Sequence, residues 1–122
     1  MSTPGQIVWT DLTVSDADNI RQFYCDVIGW SAEPLSMGDY DDYVLYPGEG
    51  KDGVAGVCHA RGINANVPPQ WLIYVTVTSV AASVERCLAA GGRVLDGPRN
   101  MSNKPFCVIQ DPAGAVIAII EL

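Results

Sequence analysis

The feature that most constrains this chain is a weak internal repeat. Displacing the sequence by 63 residues lays positions 9–30 over positions 72–93. Few letters coincide: Thr13 falls on Thr76, Val14 on Val77 and Gly29 on Gly92. The pattern coincides better. Each segment opens with alternating strand-like residues, crosses a polar turn, runs through a helical period and stops at glycine. A copy of about 60 residues is marginal alone, so the two copies are expected to pair in one domain.

In the first copy, Ser15 reads as a helix N-cap, with Asp18 where a carboxylate favours the helix start. Ile20, Phe23, Tyr24, Val27 and Ile28 follow at helical spacing as one apolar stripe, and Gly29 supplies a left-handed stop. In the second copy Thr78 or Ser79 begins a helix with the stripe Val80, Val84, Cys87 and Leu88, and Gly91-Gly92 ends it. In the strands before these helices, Val8, Thr10, Leu12 and Val14 share one face, as do Ile73, Val75 and Val77, and these faces are expected to pack on the helices. The opposite faces carry Trp9, Asp11 and Thr13, and Leu72, Tyr74 and Thr76. Their mixed polarity points to a cleft. Three further strands read in each half: 30–33, 43–46 and 54–60, then 93–96, 106–110 and 115–121. The organisation is one domain over 1–122, with module one at 5–62, a connector at 63–70 and module two at 71–122.

Composition supports a folded domain: 48% of the 122 residues are hydrophobic and 17% charged. The net charge of -7 opposes nucleic acid and anionic membrane as partners. No apolar run approaches the ~18 residues of a membrane helix, and residues 1–5 carry no secretory pattern. The expected location is cytoplasmic. Cys25, Cys58, Cys87 and Cys107 are widely spaced and read as small, mostly buried hydrophobes. The charge is uneven. Residues 1–62 hold ten acids and three bases, whereas 63–122 hold four of each.

The doubled βαβββ plan resembles the vicinal oxygen chelate superfamily, which contains glyoxalases, bleomycin-resistance proteins and extradiol dioxygenases. The residues carrying the resemblance are Ile7-Val8-Trp9-Thr10-Asp11-Leu12, Phe23-Tyr24, Ile28-Gly29-Trp30, Trp71-Leu72-Ile73-Tyr74-Val75, Gly91-Gly92-Arg93-Val94 and Asp111-Pro112-Ala113-Gly114-Ala115. The resemblance implies an α+β fold, two tandem modules with curled mixed sheets enclosing a cleft, and a homodimer. Family enzymes hold a divalent metal with His, Glu or Gln from the first and last strand of each module. The corresponding positions here are Trp9, His59, Leu72 and Ala118. Three of the four carry no donor for a metal, so no metal or other cofactor is expected, with a divalent metal as the alternative.

The expected function is therefore binding of a small organic molecule, neutral or cationic, in the cleft. Its expected contacts are Trp9, Asp11, His59, Leu72, Tyr74 and Ala118. The alternatives are a lyase, isomerase or dioxygenase using His59, the single histidine, as catalytic base, and a structural or interaction module. Strand alternation is expected to turn His59 into the cleft with Ala55 and Val57, and Cys58 away from it. Gly48-Glu49-Gly50-Lys51-Asp52-Gly53 matches GxGxxG, but a strand-like stretch follows it, so it reads as a hairpin and not a phosphate loop. Residues 39–43 read as a solvated acidic loop, and 100–104 as a polar loop at the cavity mouth.

Overall fold

A computed structural model describes residues 3–122. The first half forms strand β1 (Ile7–Val14), helix α1 (Ala17–Ile28), and strands β2 (Ser31–Ser36), β3 (Asp41–Tyr46) and β4 (Ala55–His59). The second half repeats this order: β5 (Trp71–Val77), α2 (Val80–Ala89), β6 (Arg93–Met101), β7 (Lys104–Gln110) and β8 (Val116–Glu121). Among the described residues no helix is long and apolar enough to cross a membrane.

The chain divides into two compact units. One is Thr10–Trp71; the other joins the chain up to Trp9 with Leu72–Leu122. The first holds ten acidic and three basic side chains and the second four of each, so they are called here the acidic and the neutral unit.

In the acidic unit the strand order is β2-β3-β4-β1, with β1 parallel to β4 and the other pairs antiparallel. The register sets Leu12 beside Val57 and Tyr43 beside Val57, so these side chains share one face. Helix α1 covers that face. Ala17, Leu45, Ala55 and Val57 form its buried core, with Val14, Trp30, Ala32, Tyr43 and Trp71 packed around them. The N-cap is Asp16 and not Ser15, and its carboxylate accepts the Asn19 N–H at 3.4 Å. Gly29 adopts φ 91°, a left-handed conformation that favours glycine, and its N–H caps Cys25. The apolar stripe is not fully seated. Phe23, Val27 and Ile28 are 54%, 64% and 53% exposed. The direction facing the sheet is taken instead by Ala17, Tyr24 and Arg21, whose guanidinium lies 4.6 Å over the Tyr43 ring.

In the neutral unit the order is β5-β8-β7-β6, again with the first pair parallel and the rest antiparallel. Val80, Cys107 and Ile119 form the buried core under α2, with Val77, Val84, Val94 and Ile109 around them. Ser79 is the N-cap; its hydroxyl accepts the Ala82 N–H at 3.1 Å. Residues 100–104 are not an open loop. β6 and β7 pair as far as Met101 and Lys104, and Ser102 and Asn103 turn the hairpin with φ 50° and 67°.

Candidate functional site

The four strands of each unit have one face under its helix and one helix-free face, and the register decides which side chains each face receives. In the acidic unit Asp11 stands beside Gly56, Thr13 beside Cys58, and Val44 beside Gly56. Glu33 stands beside Val44, Leu35 beside Asp42 and Ser31 beside Tyr46. The helix-free face therefore collects Asp11, Thr13, Cys58, Asp42, Val44 and Tyr46, with Glu33 and Leu35 at its edge. Gly56 contributes no side chain to the row between Asp11 and Val44. Asp42 and Thr13 are buried; Asp11, Val44, Cys58 and Tyr46 are half-buried.

The chemistry of this face is acidic and protonated at sulfur. The Asp42 carboxylate accepts the His59 backbone N–H at 2.9 Å and a hydrogen bond from the Cys58 thiol. Burial, and then the negative charges of Asp11 and Asp42, push the Cys58 thiol far above its ordinary range. Such a thiol is a hydrogen-bond donor and not a thiolate nucleophile.

His59 lies on the other face. β4 places it beside Val14, on the helix side of the sheet, because its parity matches Val57 and Ala55, which are core residues under α1. The expectation that it faces the cleft with Cys58 turned away is thus reversed: both members of the pair keep opposite sides, but the sides are exchanged. Its Nε2 is 3.8 Å from Asp18 on α1, and its Nδ1 is 3.4 Å from Asp42. The Tyr43 hydroxyl donates to Asp18, which raises the Tyr43 pKa, with burial adding to the effect. The Tyr40 ring meets the imidazole edge-on at 5.2 Å, and the Arg61 guanidinium covers Tyr40 at 4.0 Å. Of residues 39–43, Asp42 thus belongs to the interior: it is 4% exposed.

The neutral unit brings together Leu72, Tyr74 and Ala118. Tyr74 pairs with Ala118, and Ala118 with Val108, on the helix-free face. All are buried, with Phe106 stacked on Tyr74 at 6.2 Å between centroids. Arg99 lies 4.5 Å over Phe106 and is held by Asp96 through two bonds, at 3.2 and 2.9 Å. Leu72, Tyr74, Phe106 and Ala118 leave almost none of their surface exposed. Trp9, also counted in this unit, is half-buried. The sequence expectation named Leu72, Tyr74 and Ala118 but not Phe106, Arg99 or Asp96. Period-two alternation from β5 through β7 would have found Phe106, whereas the Asp96–Arg99 pair depends on a register shift in β6 that no local pattern announces.

A resident divalent ion does not fit these residues. Leu72 and Ala118 are apolar and sit among apolar neighbours, the indole of Trp9 offers no lone pair, and His59 is turned under α1. Among the described residues no three His, Cys, Asp or Glu side chains are grouped to hold a metal.

Comparison with known proteins identifies the family and the fold. The sequence profile of the Glyoxalase-like domain matches residues 7–120. CFP32 of Mycobacterium tuberculosis, which carries glyoxylase in its name, is 29% identical over 119 residues, covering 96% of this chain and 44% of that protein. Anthracycline biosynthesis protein DnrV of Streptomyces peucetius is 27% identical over 119 residues, covering 98% of this chain and 42% of that protein. The chain therefore spans less than half the length of these relatives. A crystal structure of a glyoxalase/bleomycin resistance protein/dioxygenase superfamily member from Vibrio splendidus aligns with a TM-score of 0.60 at 13% identity, over 96% of this chain and 100% of that one. That likeness fixes the fold: α+β, of the glyoxalase/bleomycin resistance type.

Proposed function

The chain belongs to the glyoxalase-like domain family, and on that premise we propose that it binds a small organic molecule, cationic or neutral, on the helix-free face of the acidic unit. The observation that carries this reading is the convergence of Asp11, Asp42 and Cys58 on one face, in a unit with ten acids against three bases. A half-buried carboxylate attracts a cation more strongly than one in open water, because the local dielectric is lower. Val44 and Tyr46 add apolar and aromatic surface beside it. The name of the Streptomyces relative supports a planar aromatic class of ligand.

In this reading Asp11 meets the ligand's cationic or hydroxyl group, and the Cys58 thiol stays protonated. His59 is a positioning residue. Its backbone N–H fixes Asp42, and its ring is lodged between Asp18 and Asp42. Trp9, Leu72, Tyr74 and Ala118 belong to the neutral unit, where three of them are buried, and in this reading they do not contact the ligand.

The test is titration with an anthracycline bearing an amino sugar, and with its neutral aglycone, followed by intrinsic fluorescence. Asp11→Asn should weaken the cationic ligand about tenfold, the scale of one charge-assisted contact, and leave the aglycone nearly unchanged. Saturable binding of the aminated ligand that ignores Asp11→Asn would overturn the placement of the site.

A further inference from the structure

We propose that protonation of His59, on the helix side of the acidic unit, controls the negative charge that Asp42 presents on the helix-free face, and so regulates the binding of a cation there. The effect on binding rests on the ligand reading above; the link between the two faces does not. His59 is 8% exposed, and its Nδ1 is buried without a hydrogen bond. That nitrogen lies 3.4 Å from the Asp42 Oδ1, the same oxygen that accepts the His59 backbone N–H at 2.9 Å. A bare lone pair there would face a carboxylate oxygen, so the single proton of the neutral ring belongs on Nδ1. The lone pair of Nε2 then points toward Asp18, 3.8 Å away on α1. The Asp18 side chain is 62% exposed, which places Nε2 on the side nearer water.

A second proton, on Nε2, sets an imidazolium between two carboxylates. Its charge opposes that of Asp42, and the Cys58 thiol, which donates to Asp42 from the other face, then meets a weaker acceptor. The remaining groups around the ring are Tyr43 and Arg21, and Tyr40 and Arg61. Tyr43 donates to Asp18 and lies under Arg21; Tyr40 meets the imidazole edge-on and lies under Arg61. Carboxylates, phenols and guanidinium groups ordinarily keep their charge between about pH 5 and 8, and imidazole does not.

The other repeat supplies a control within the same chain. The register gives His59 and Glu121 equal places, since each pairs with the last residue of its unit's first strand, Val14 and Val77. Ala118 has Gly56 as its counterpart, not His59. Glu121 reaches the start of α2, where its carboxylate accepts the Val80 N–H at 2.8 Å. At the offset of 63 residues Asp18 falls on Ala81 and Asp42 on Pro105. The neutral unit thus ties its helix to its last strand with a carboxylate and carries neither partner acid. The acidic unit fills the same place with an imidazole and backs it with two.

The first test uses no ligand. It follows the infrared S–H stretching band of Cys58, isolated as the difference between the intact chain and Cys58→Ser. Between about pH 7.5 and 5.5 the band should move to higher frequency as the bond to Asp42 weakens. His59→Gln should hold it still. Asp18→Asn, which keeps the histidine and reads the same link if His59→Gln does not fold, should move the midpoint to lower pH, because one carboxylate no longer favours the imidazolium. The second test is titration with the aminated anthracycline over the same interval. Its affinity should fall about fivefold toward the lower pH, the aglycone's should not, and His59→Gln should bind the aminated ligand equally at both. The proposal is overturned by a band that ignores pH, by one that moves alike in His59→Gln, or by aminated-ligand binding that does not weaken in acid. A band that moves as expected in a chain that binds no aminated ligand upholds the link between the faces and overturns the ligand reading alone.

Discussion

The helix-free faces of the two units differ in almost everything except their backbone. In the neutral unit the face is closed by Leu72, Tyr74, Phe106, Val108 and Ala118, each no more than 5% exposed. In the acidic unit the matching strands present Asp11, Cys58, Val44 and Tyr46, all half-buried, over a buried Asp42. Both units use the same strand order and the same mix of one parallel and two antiparallel pairs. A repeat can therefore preserve the pairing while one face is buried and apolar and the other stays polar and half-exposed. Backbone hydrogen bonds set the order of the strands, and the side chains on the uncovered face are left free to diverge.

The largest effect expected from this difference is on stability. Phe106→Ala removes a ring 1% exposed, stacked on Tyr74 and covered by Arg99. The cavity it leaves should cost about 3–5 kcal/mol in urea unfolding. Val44→Ala, on the half-buried face of the acidic unit, should cost under about 1.5 kcal/mol because little packing is lost. Equal losses at the two positions would mean that the acidic face is as closely packed as the neutral one.

The next contrast is in pH dependence, where each unit contributes one perturbed thiol. Burial and then Asp11 and Asp42 raise Cys58 far above the ordinary range. Burial and then Asp96 push Cys107 up to about 11. In the unfolded chain both thiols ionise near pH 8.5. Below that pH both states hold their protons and the thiols add nothing to the pH dependence. Above it the unfolded state releases protons that the folded state keeps, so stability falls. Each thiol should add a slope of up to about 1.4 kcal/mol per pH unit. The loss from Cys107 levels off once the pH passes its folded value of about 11. Cys107→Ala and Cys58→Ala should each flatten the fall in melting temperature between about pH 9 and 11. A single variant that removes the whole slope would assign the effect to one unit.

How much of this was legible in the sequence follows from the range of each interaction. The repeat, the element order and the cap glycine at Gly29 are local patterns, and each reads directly. The direction of His59 is not local. Strand alternation separates it from Cys58, but choosing which of the two faces α1 needs the register of β4 against β1, where Val14 meets His59. The same limit applies to Asp42. It sits in an acidic run whose neighbours Asp39 and Asp41 are exposed, and only its pairing with the end of β4 draws it inside. The stripe on α1 misled for a different reason. Helical spacing shows that Phe23 and Val27 share a side, but not that Arg21 and Ala17 would take the side facing the sheet. The Asp96–Arg99 clamp depends on an irregularity in β6 at Gly97, where φ is 99° and a side chain would press on the Phe106 carbonyl at 3.0 Å.

The smallest expected difference lies at the two helix starts. Ser79 caps α2 from an extended backbone, and its hydroxyl accepts the Ala82 N–H at 3.1 Å. A second acceptor joins it, since the Glu121 carboxylate takes the Val80 N–H at 2.8 Å and places a negative charge at the positive end of the helix. Asp16 caps α1 at the longer distance of 3.4 Å and also accepts the Asn19 side-chain amide at 2.8 Å, in an exposed position. Ser79→Ala should cost about 1 kcal/mol, the usual value of a well-formed cap. Asp16→Ala should cost about half as much, because its backbone contact is long and water can replace it. Paired thermal melts of the two variants measure the difference. A larger loss at Asp16 would show that the charge on the first turn of α1, which this residue shares with Asp18, contributes more than the geometry of the cap.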